Sequence, residues 1–412
     1  MLTTNSLTPR EHELDSAVTE FARTVIAPRV AVMEARCRPE RDLVDQIAQQ
    51  GWVGVTISPD YGGMGMGHRA KTMILERLSY ISGAVGASVQ AYQLGSSLII
   101  QHGNDAQKRH WLPKIARGKC LPTIAVTEHA SGSQIDGIAE TTARREGDHY
   151  LLSGRKVLVG GARGATLHGV LARTAPGDNG LTMFLVKADQ PGVRAGTHVP
   201  GLGLRGFSFD DIHFTNCRVP LSHRLGEEGQ GRDIALDSSL CYGRPNLAAV
   251  ALGLHRAIWD TTRQMTQRRP RYGKPLHHLR NVKLDLGRMH SRLLGAELAL
   301  YTAAGALDAN GGIGYLDNRH EHDPLLCHAK LYGIEALHDS AAAALRLHGG
   351  HGLKSGQRIE RLFRDAWCLE PPAGTNDVQA LLLARQALQE QETPEASFTP
   401  GAAGAHATGP AS

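Results

Sequence analysis

The first 120 or so residues carry helical patterning. Thr8-Pro9-Arg10-Glu11 predicts a capping box with proline at the first helical position. Further helices are expected over residues 41–51, 69–82, 86–102 and 104–117, broken by the glycine-rich loop SPDYGGMGMGH. Near Leu121 the pattern changes. TIAV, HYLLSGRKVLVG, LHGVLAR, LTMFLVKA and DDIHF are short β-rich segments separated by turn signals. The clearest signal is Asp178-Asn179-Gly180, because asparagine and glycine tolerate positive φ in a hairpin. Residues 121–222 therefore predict an antiparallel sheet. Helical spacing returns from Gly231. Leu247, Val250, Leu254 and Ile258 form one apolar stripe, and Leu286, Met289, Leu293, Leu300 and Leu307 form another, both read as core packing. A third long helix, about 326–347, is stopped by HGGHG.

The expected class is α+β: an N-terminal helical domain (1–120), a middle antiparallel β domain (121–230) and a C-terminal helical bundle (231–391). The Ala/Gly/Pro/Ser-rich stretch from Glu392 onward predicts a disordered tail. A chain of 412 residues, 41% hydrophobic and 21% charged, is long enough for a large core. Its net charge of +5 is spread over 45 basic and 40 acidic residues, which argues against nucleic acid or a membrane surface as partner. Cysteines 37, 120, 217, 241, 327 and 368 form no C-x-x-C pair, so a reducing cytoplasm is expected, without zinc or disulfides. The N-terminal MLTTNSLTPREHEL has no apolar h-region, and no run of apolar residues is long enough to span a bilayer.

Two motifs mislead. Gly201-Leu202-Gly203-Leu204-Arg205-Gly206 matches G-x-G-x-x-G, but FSFDDIHF after it alternates like a strand, where a dinucleotide fold needs a helix. Gly62 to Gly67 reads as a loop. Among the 21 histidines, adjacent His277-His278 cannot share a helical face and NRHEHD has no ordered partner set, so no metal site is expected.

Five segments in fixed order, AVTEHASGS (125–133), NCRVPLSHRLGEEGQG ending at Gly231, RRPRYGKPL (268–276), LHGGHGL (347–353) and AGTNDVQ (373–379), make the chain resemble the acyl-CoA dehydrogenase family over about residues 7 to 390. The resemblance implies bound FAD, a C-terminal four-helix bundle, an acyl thioester substrate and a homotetramer or homodimer. It places Thr127 and Ser133 at the flavin or a phosphate, and Arg269, with Tyr272 in a phenylalanine slot, at the FAD of a neighbouring subunit. It sets Arg346, Gly349 and Gly350 along the dinucleotide, and Gly374, Thr375 and Asp377 near the flavin ring. In KVLVGGA (156–162), Leu158 and Gly160, with Val159 between them, replace a shielding tryptophan and a threonine near N5. Arg244, Ala373 and Gly374 border the substrate.

The departures fall on the chemistry. The family's base is a glutamate just before the glycine of AGTND, and Ala373 stands there. Some relatives carry it before the RP pair, where this chain has Gly243. Glu370 is the nearest carboxylate and the candidate substitute base, but Pro371 and Pro372 extend the chain between them, which favours a loop carboxylate. Cys241 stands where an aspartate often contacts the substrate carrier. Three readings follow. One is carbanion formation by decarboxylation of a β-keto acid or malonyl-type substrate, with possible oxygenation by O2, as in specialised relatives that make epoxyketones. The others are ordinary acyl desaturation with a relocated base, on CoA or a carrier protein, and a flavin-binding relative without turnover.

Overall fold

The computed structural model describes residues 7–177, 180–309 and 319–388. The Asp178-Asn179 turn, the NRHEHD side chains and the tail from Glu392 lie outside the described residues. Six helices come first: α1 (Pro9–Phe21), α2 (Val30–Arg36), α3 (Arg41–Gln49), α4 (His68–Ile81), α5 (Gly83–His102) and α6 (Asp105–Ala116). The capping box at Thr8 forms as expected, its hydroxyl accepting from the Glu11 N–H. Helix α5 begins three residues before the expected position because the Ser82 hydroxyl caps it, accepting from the Val85 N–H at 3.4 Å.

The sheet comprises β1 (Pro122–Ala125), β2 (Thr142–Glu146), β3 (His149–Gly160), β4 (Leu167–Arg173), β5 (Leu181–Lys187), β6 (Val193–Ala195), β7 (Phe209–Pro220) and β8 (Arg224–Leu225). Its main path runs β6-β7-β3-β2-β4-β5-β8. Most pairs are antiparallel, as expected, and two parallel contacts add to them: β1 runs parallel to β4, with Ala125 opposite Val170, and β2 joins the same flank of β4 at Thr142–Arg173. The long crossover between β1 and β4 permits parallel pairing, which a tight hairpin does not. β1 and β2 thus lie end to end along one strand, and residues 126–141 are an excursion between them.

The remaining helices are α7 (Gly231–Ser238), α8 (Arg244–Arg268), α9 (Arg280–Ala309), α10 (Arg319–His348), α11 (Arg358–Trp367) and α12 (Asn376–Ala387), with a two-stranded hairpin of β9 (Pro270–Arg271) and β10 (Lys274–Pro275) after α8. Leu247, Val250, Leu254 and Ile258 are buried, as are Met289, Leu293, Leu300 and Leu307; Leu286 is half-exposed. The GLGLRG stretch leads into β7 and docks on α11, where the Leu204 N–H donates to Asp365 at 2.6 Å. It has no nucleotide-binding helix behind it.

The cores cross the blocks. One apolar cluster joins α1, α3 and α4 to α8, α9 and α10. Another joins α3, α5 and α6 to β4, β5 and α7. α5 lies so close to β1 that a Cβ on Gly95 would stand 2.2 Å from the Pro122 carbonyl oxygen. Glu76 on α4 receives Arg256 of α8, Arg77 at 3.0 Å and the Tyr301 hydroxyl of α9 at 2.8 Å, while Arg256 also meets Glu297 at 3.1 Å. Those partners satisfy the buried charges.

Two buried histidines make a testable pH dependence. His168 sits 3.0 Å from the Thr123 hydroxyl, and His255 sits 2.7 Å from that of Ser340. Burial pushes them down to about 4 and about 3. Both folded values lie below the unfolded one, so their contribution is complete above about pH 6.5 and lost as pH falls through the folded values. Stability should drop by up to about 3 kcal/mol per pH unit between roughly pH 6 and pH 4. Urea midpoints at pH 7, 6 and 5 check this, and a flat profile contradicts it.

Candidate active site

The excursion that leaves β1 carries Thr127 and Ser133, and one buried residue closes it. Glu128 accepts the backbone N–H groups of Ala139 (3.0 Å), Glu140 (2.8 Å) and Thr141 (2.8 Å), so both ends of the loop converge on a single carboxylate. Lys156 of β3 pairs with it at 2.9 Å and donates to the Val126 carbonyl at 2.8 Å. Burial pushes the Glu128 carboxyl up, but the Lys156 hydrogen bond and charge together with the backbone donors outweigh burial and hold it below the usual range.

The same clamp sets Thr127 against the next strand, where its carbonyl accepts from the Val157 N–H at 2.9 Å. There β3 bulges between Lys156 and Val159. Leu158 takes φ +54°, unusual for a branched side chain, and stands 64% exposed. Val159 is buried, and a Cβ on Gly160 would meet the Phe207 ring at 3.1 Å. Thr127 and the 158–160 bulge are thus brought together, and Phe207 joins them from the loop before β7. Ser133 is exposed on the outer part of the excursion.

Opposite them lies the bundle. A π-helical turn, Ser239–Gly243, leads into α8. A Cβ on Gly243 would lie 3.0 Å from that of Ala373, so the two positions the family uses for its base face each other. Neither side chain can take a proton. Ala373 has φ +57° and Gly374 φ +83°, a left-handed pair that turns the chain back into α12. Thr375 caps α12, its hydroxyl accepting from Val378 at 3.3 Å, and exposed Asp377 lies in the first turn, favourable at a helix N-terminus. Lys330 of α10 secures this turn: its buried ammonium donates to the Glu370 carbonyl at 2.9 Å and to the Gly374 carbonyl. The Glu370 carboxylate accepts from the Asn376 N–H at 3.2 Å and serves as a cap for α12.

Behind the π turn, Lys71 of α4 bonds the Cys241 carbonyl at 3.1 Å and His68 at 2.8 Å. Cys241 is completely buried, so its side chain offers nothing to a carrier at the surface. At the far end of the bundle Arg269 donates to the His348 carbonyl at 3.1 Å, bringing RRPRYGKPL to HGGHG. Arg346 is exposed there, a Cβ on Gly349 or Gly350 would meet nothing within 4 Å, and Tyr272 is 91% exposed at the tip of the β9–β10 hairpin. Among the described residues no cluster of three His, Cys, Asp or Glu side chains could hold a metal, and no helix is long and apolar enough to cross a membrane.

Three family models match: the N-terminal domain of acyl-CoA dehydrogenases at residues 8–119, their middle domain at 123–217 and their C-terminal domain at 229–388. The 3-(aryl)acrylate reductase of Clostridium sporogenes is 31% identical over 92% of this chain and 99% of its own. This chain belongs to the acyl-CoA dehydrogenase family. Its fold is shared with butyryl-CoA dehydrogenase of Megasphaera elsdenii (TM-score 0.88, 25% identity, 93% of this chain and 99% of that one). It is shared too with the prolyl acyl carrier protein oxidase AnaB (TM-score 0.84, 25% identity, 92% and 99%). The protein is an FAD-dependent oxidoreductase of the acyl-CoA dehydrogenase type.

The residues present fit FAD. The buried acceptors Asn376 Oδ1 and Gln379 Oε1, at the turn near Gly374, have no hydrogen-bond partner among the described residues, nor has His348 Nε2 beside the open glycines. Burial and then the Arg269 charge push His348 down to about 4, leaving it a neutral imidazole at pH 7. The clamp residues Glu128, Lys156 and Lys330 escape sequence reasoning because their partners are backbone groups or lie far along the chain.

Proposed function

We propose that this dehydrogenase-type enzyme acts on an acyl substrate, free or carrier-bound, in specialised metabolism, and reaches its carbanion by loss of CO2 instead of removal of an α-proton. The observation that carries this reading is the facing pair Gly243 and Ala373, with the Glu370 carboxylate, nearest in the chain, engaged as a helix cap. A positioned base contributes about 10²–10⁴ in rate, and neither family position can supply it. Loss of CO2 leaves an electron pair on the α-carbon without a base.

When bound, FAD supplies a two-electron acceptor that, once reduced, can react with O2. Thr127, Ser133, Val159, Gly160, Thr375 and Asp377 would hold its flavin side or a phosphate. Arg269, Tyr272, Arg346, Gly349 and Gly350 would hold its dinucleotide side, with Arg269 and exposed Tyr272 reaching a neighbouring copy in a homotetramer or homodimer. Arg244, Ala373 and Gly374 would border the acyl group. The exposed Leu158 and the absent side chain at Gly160 support access of O2 to this side, and the carrier-protein oxidase among the similar structures supports both O2 as acceptor and a carrier-bound acyl group.

The test is mass spectrometry of reactions of the holoenzyme with β-keto acids and saturated acyl thioesters under ¹⁸O2. CO2 release, with flavin reduction or label incorporated, is the expected result from the β-keto acid. Oxidation of the plain thioester alone would overturn it.

A further inference from the structure

Arg244 is the first residue of α8, next to Gly243, and is nine-tenths buried. Its guanidinium donates from Nη1 to the Cys327 thiol at 3.2 Å, and its Nε is buried with no partner. No carboxylate pairs with it among the described residues. A thiol is a weak acceptor, and a guanidinium held out of water without an anion is costly. Lys330, which grips the 370–374 turn, brings a second buried cation to the same corner, while one oxygen of the Glu370 carboxylate accepts from the Asn376 N–H. Burial pushes the Lys330 ammonium down to about 8; the Glu370 charge opposes that shift, and the charge of Arg244 adds to it. Arg244 therefore keeps a buried donor to spare beside Gly243, at the corner that Gly243 forms with Ala373.

We infer that Arg244 is the subsite for a carboxylate carried by the substrate itself, which makes the substrate an acyl compound with its carboxylate on the carbon that becomes nucleophilic: a β-keto acid or a malonyl-type half-acid. This assignment rests on the decarboxylating reading of the site. In the step it serves, the bond between the carboxylate carbon and the α-carbon breaks. Its electron pair passes to the α-carbon and the neighbouring carbonyl oxygen as an enolate, and CO2 leaves. One negative charge enters and one remains, so the guanidinium keeps an anionic partner from binding to enolate. Arginine suits this because its planar fork can follow the charge from one pair of oxygens to another.

The experiment titrates the FAD-loaded enzyme with an N-alkyl malonic half-amide, which loses CO2 slowly, and with its uncharged methyl ester, reading the flavin absorbance. The wild type should prefer the acid by about ten- to a hundredfold, as a buried charge-assisted pair implies. Arg244→Gln should abolish that preference. Ala373→Glu, which furnishes an internal carboxylate at the same corner, should abolish it as well, and it carries the test should Arg244→Gln fail to retain FAD. A wild type indifferent to charge, or a preference that survives in either FAD-loaded variant, overturns the assignment. An enzyme that prefers the acid yet releases no CO2 from any β-keto acid would leave the subsite standing and sink the decarboxylating reading.

Discussion

Ala373→Glu should raise acyl thioester dehydrogenase activity well above that of the natural protein. A left-handed, non-glycine residue already stands at this position, so glutamate adds no new backbone strain there. Its carboxylate would enter a corner already supplied with Arg244 and Lys330, whose charges favour the ionised form of a neighbouring acid. General-base catalysis sets the scale: anaerobic bleaching of the flavin by a saturated acyl-CoA should accelerate by about 10²–10⁴ over wild type. If the variant retains FAD and binds the thioester but gains no activity, then the residue at 373 is not what separates this protein from its dehydrogenase relatives.

Lys156→Met should be the most damaging single change outside the apolar cores. The substitution keeps the length of the side chain and leaves Glu128 buried with three backbone N–H donors but no countercharge. Breaking a buried pair by removing one partner costs about 3–5 kcal/mol. The loss should appear as a lower urea midpoint. Because the same pair closes the excursion that carries Thr127, the variant should also shed FAD more readily on desalting. A loss below about 1 kcal/mol with FAD retention unchanged would mean that water or the three donors alone stabilise the carboxylate.

The architecture was largely legible in the order of amino acids, and for a physical reason. Helix stripes such as Leu247-Val250-Leu254-Ile258 and alternating strands such as FSFDDIHF are local signals, and they survive into the fold. Parallel pairing of β1 with β4 is not local, since it joins residues more than forty positions apart, and nothing in TIAV announces its direction. The same holds at the site. Gly243 and Ala373 were identifiable as departures from a family pattern, but that they face each other is a fact of packing. Glu370 illustrates the converse: nearness in sequence marks it as a candidate base, but that one of its oxygens accepts from the Asn376 N–H is visible only in the fold. Lys330 and Lys156 look like ordinary surface lysines in a linear reading, and burial alone gives them a role.

The apolar clusters cut across the three blocks that the family models delimit. α4 shares its interior with α8 and α9, and α6 shares its interior with β4 and β5. A chimaera joined at either boundary would therefore slice through hydrophobic interiors, leaving each half to face a foreign counterpart. Exchanging one block with a distant relative demands compensating changes on the opposite side of the seam, so the three blocks are not movable cassettes.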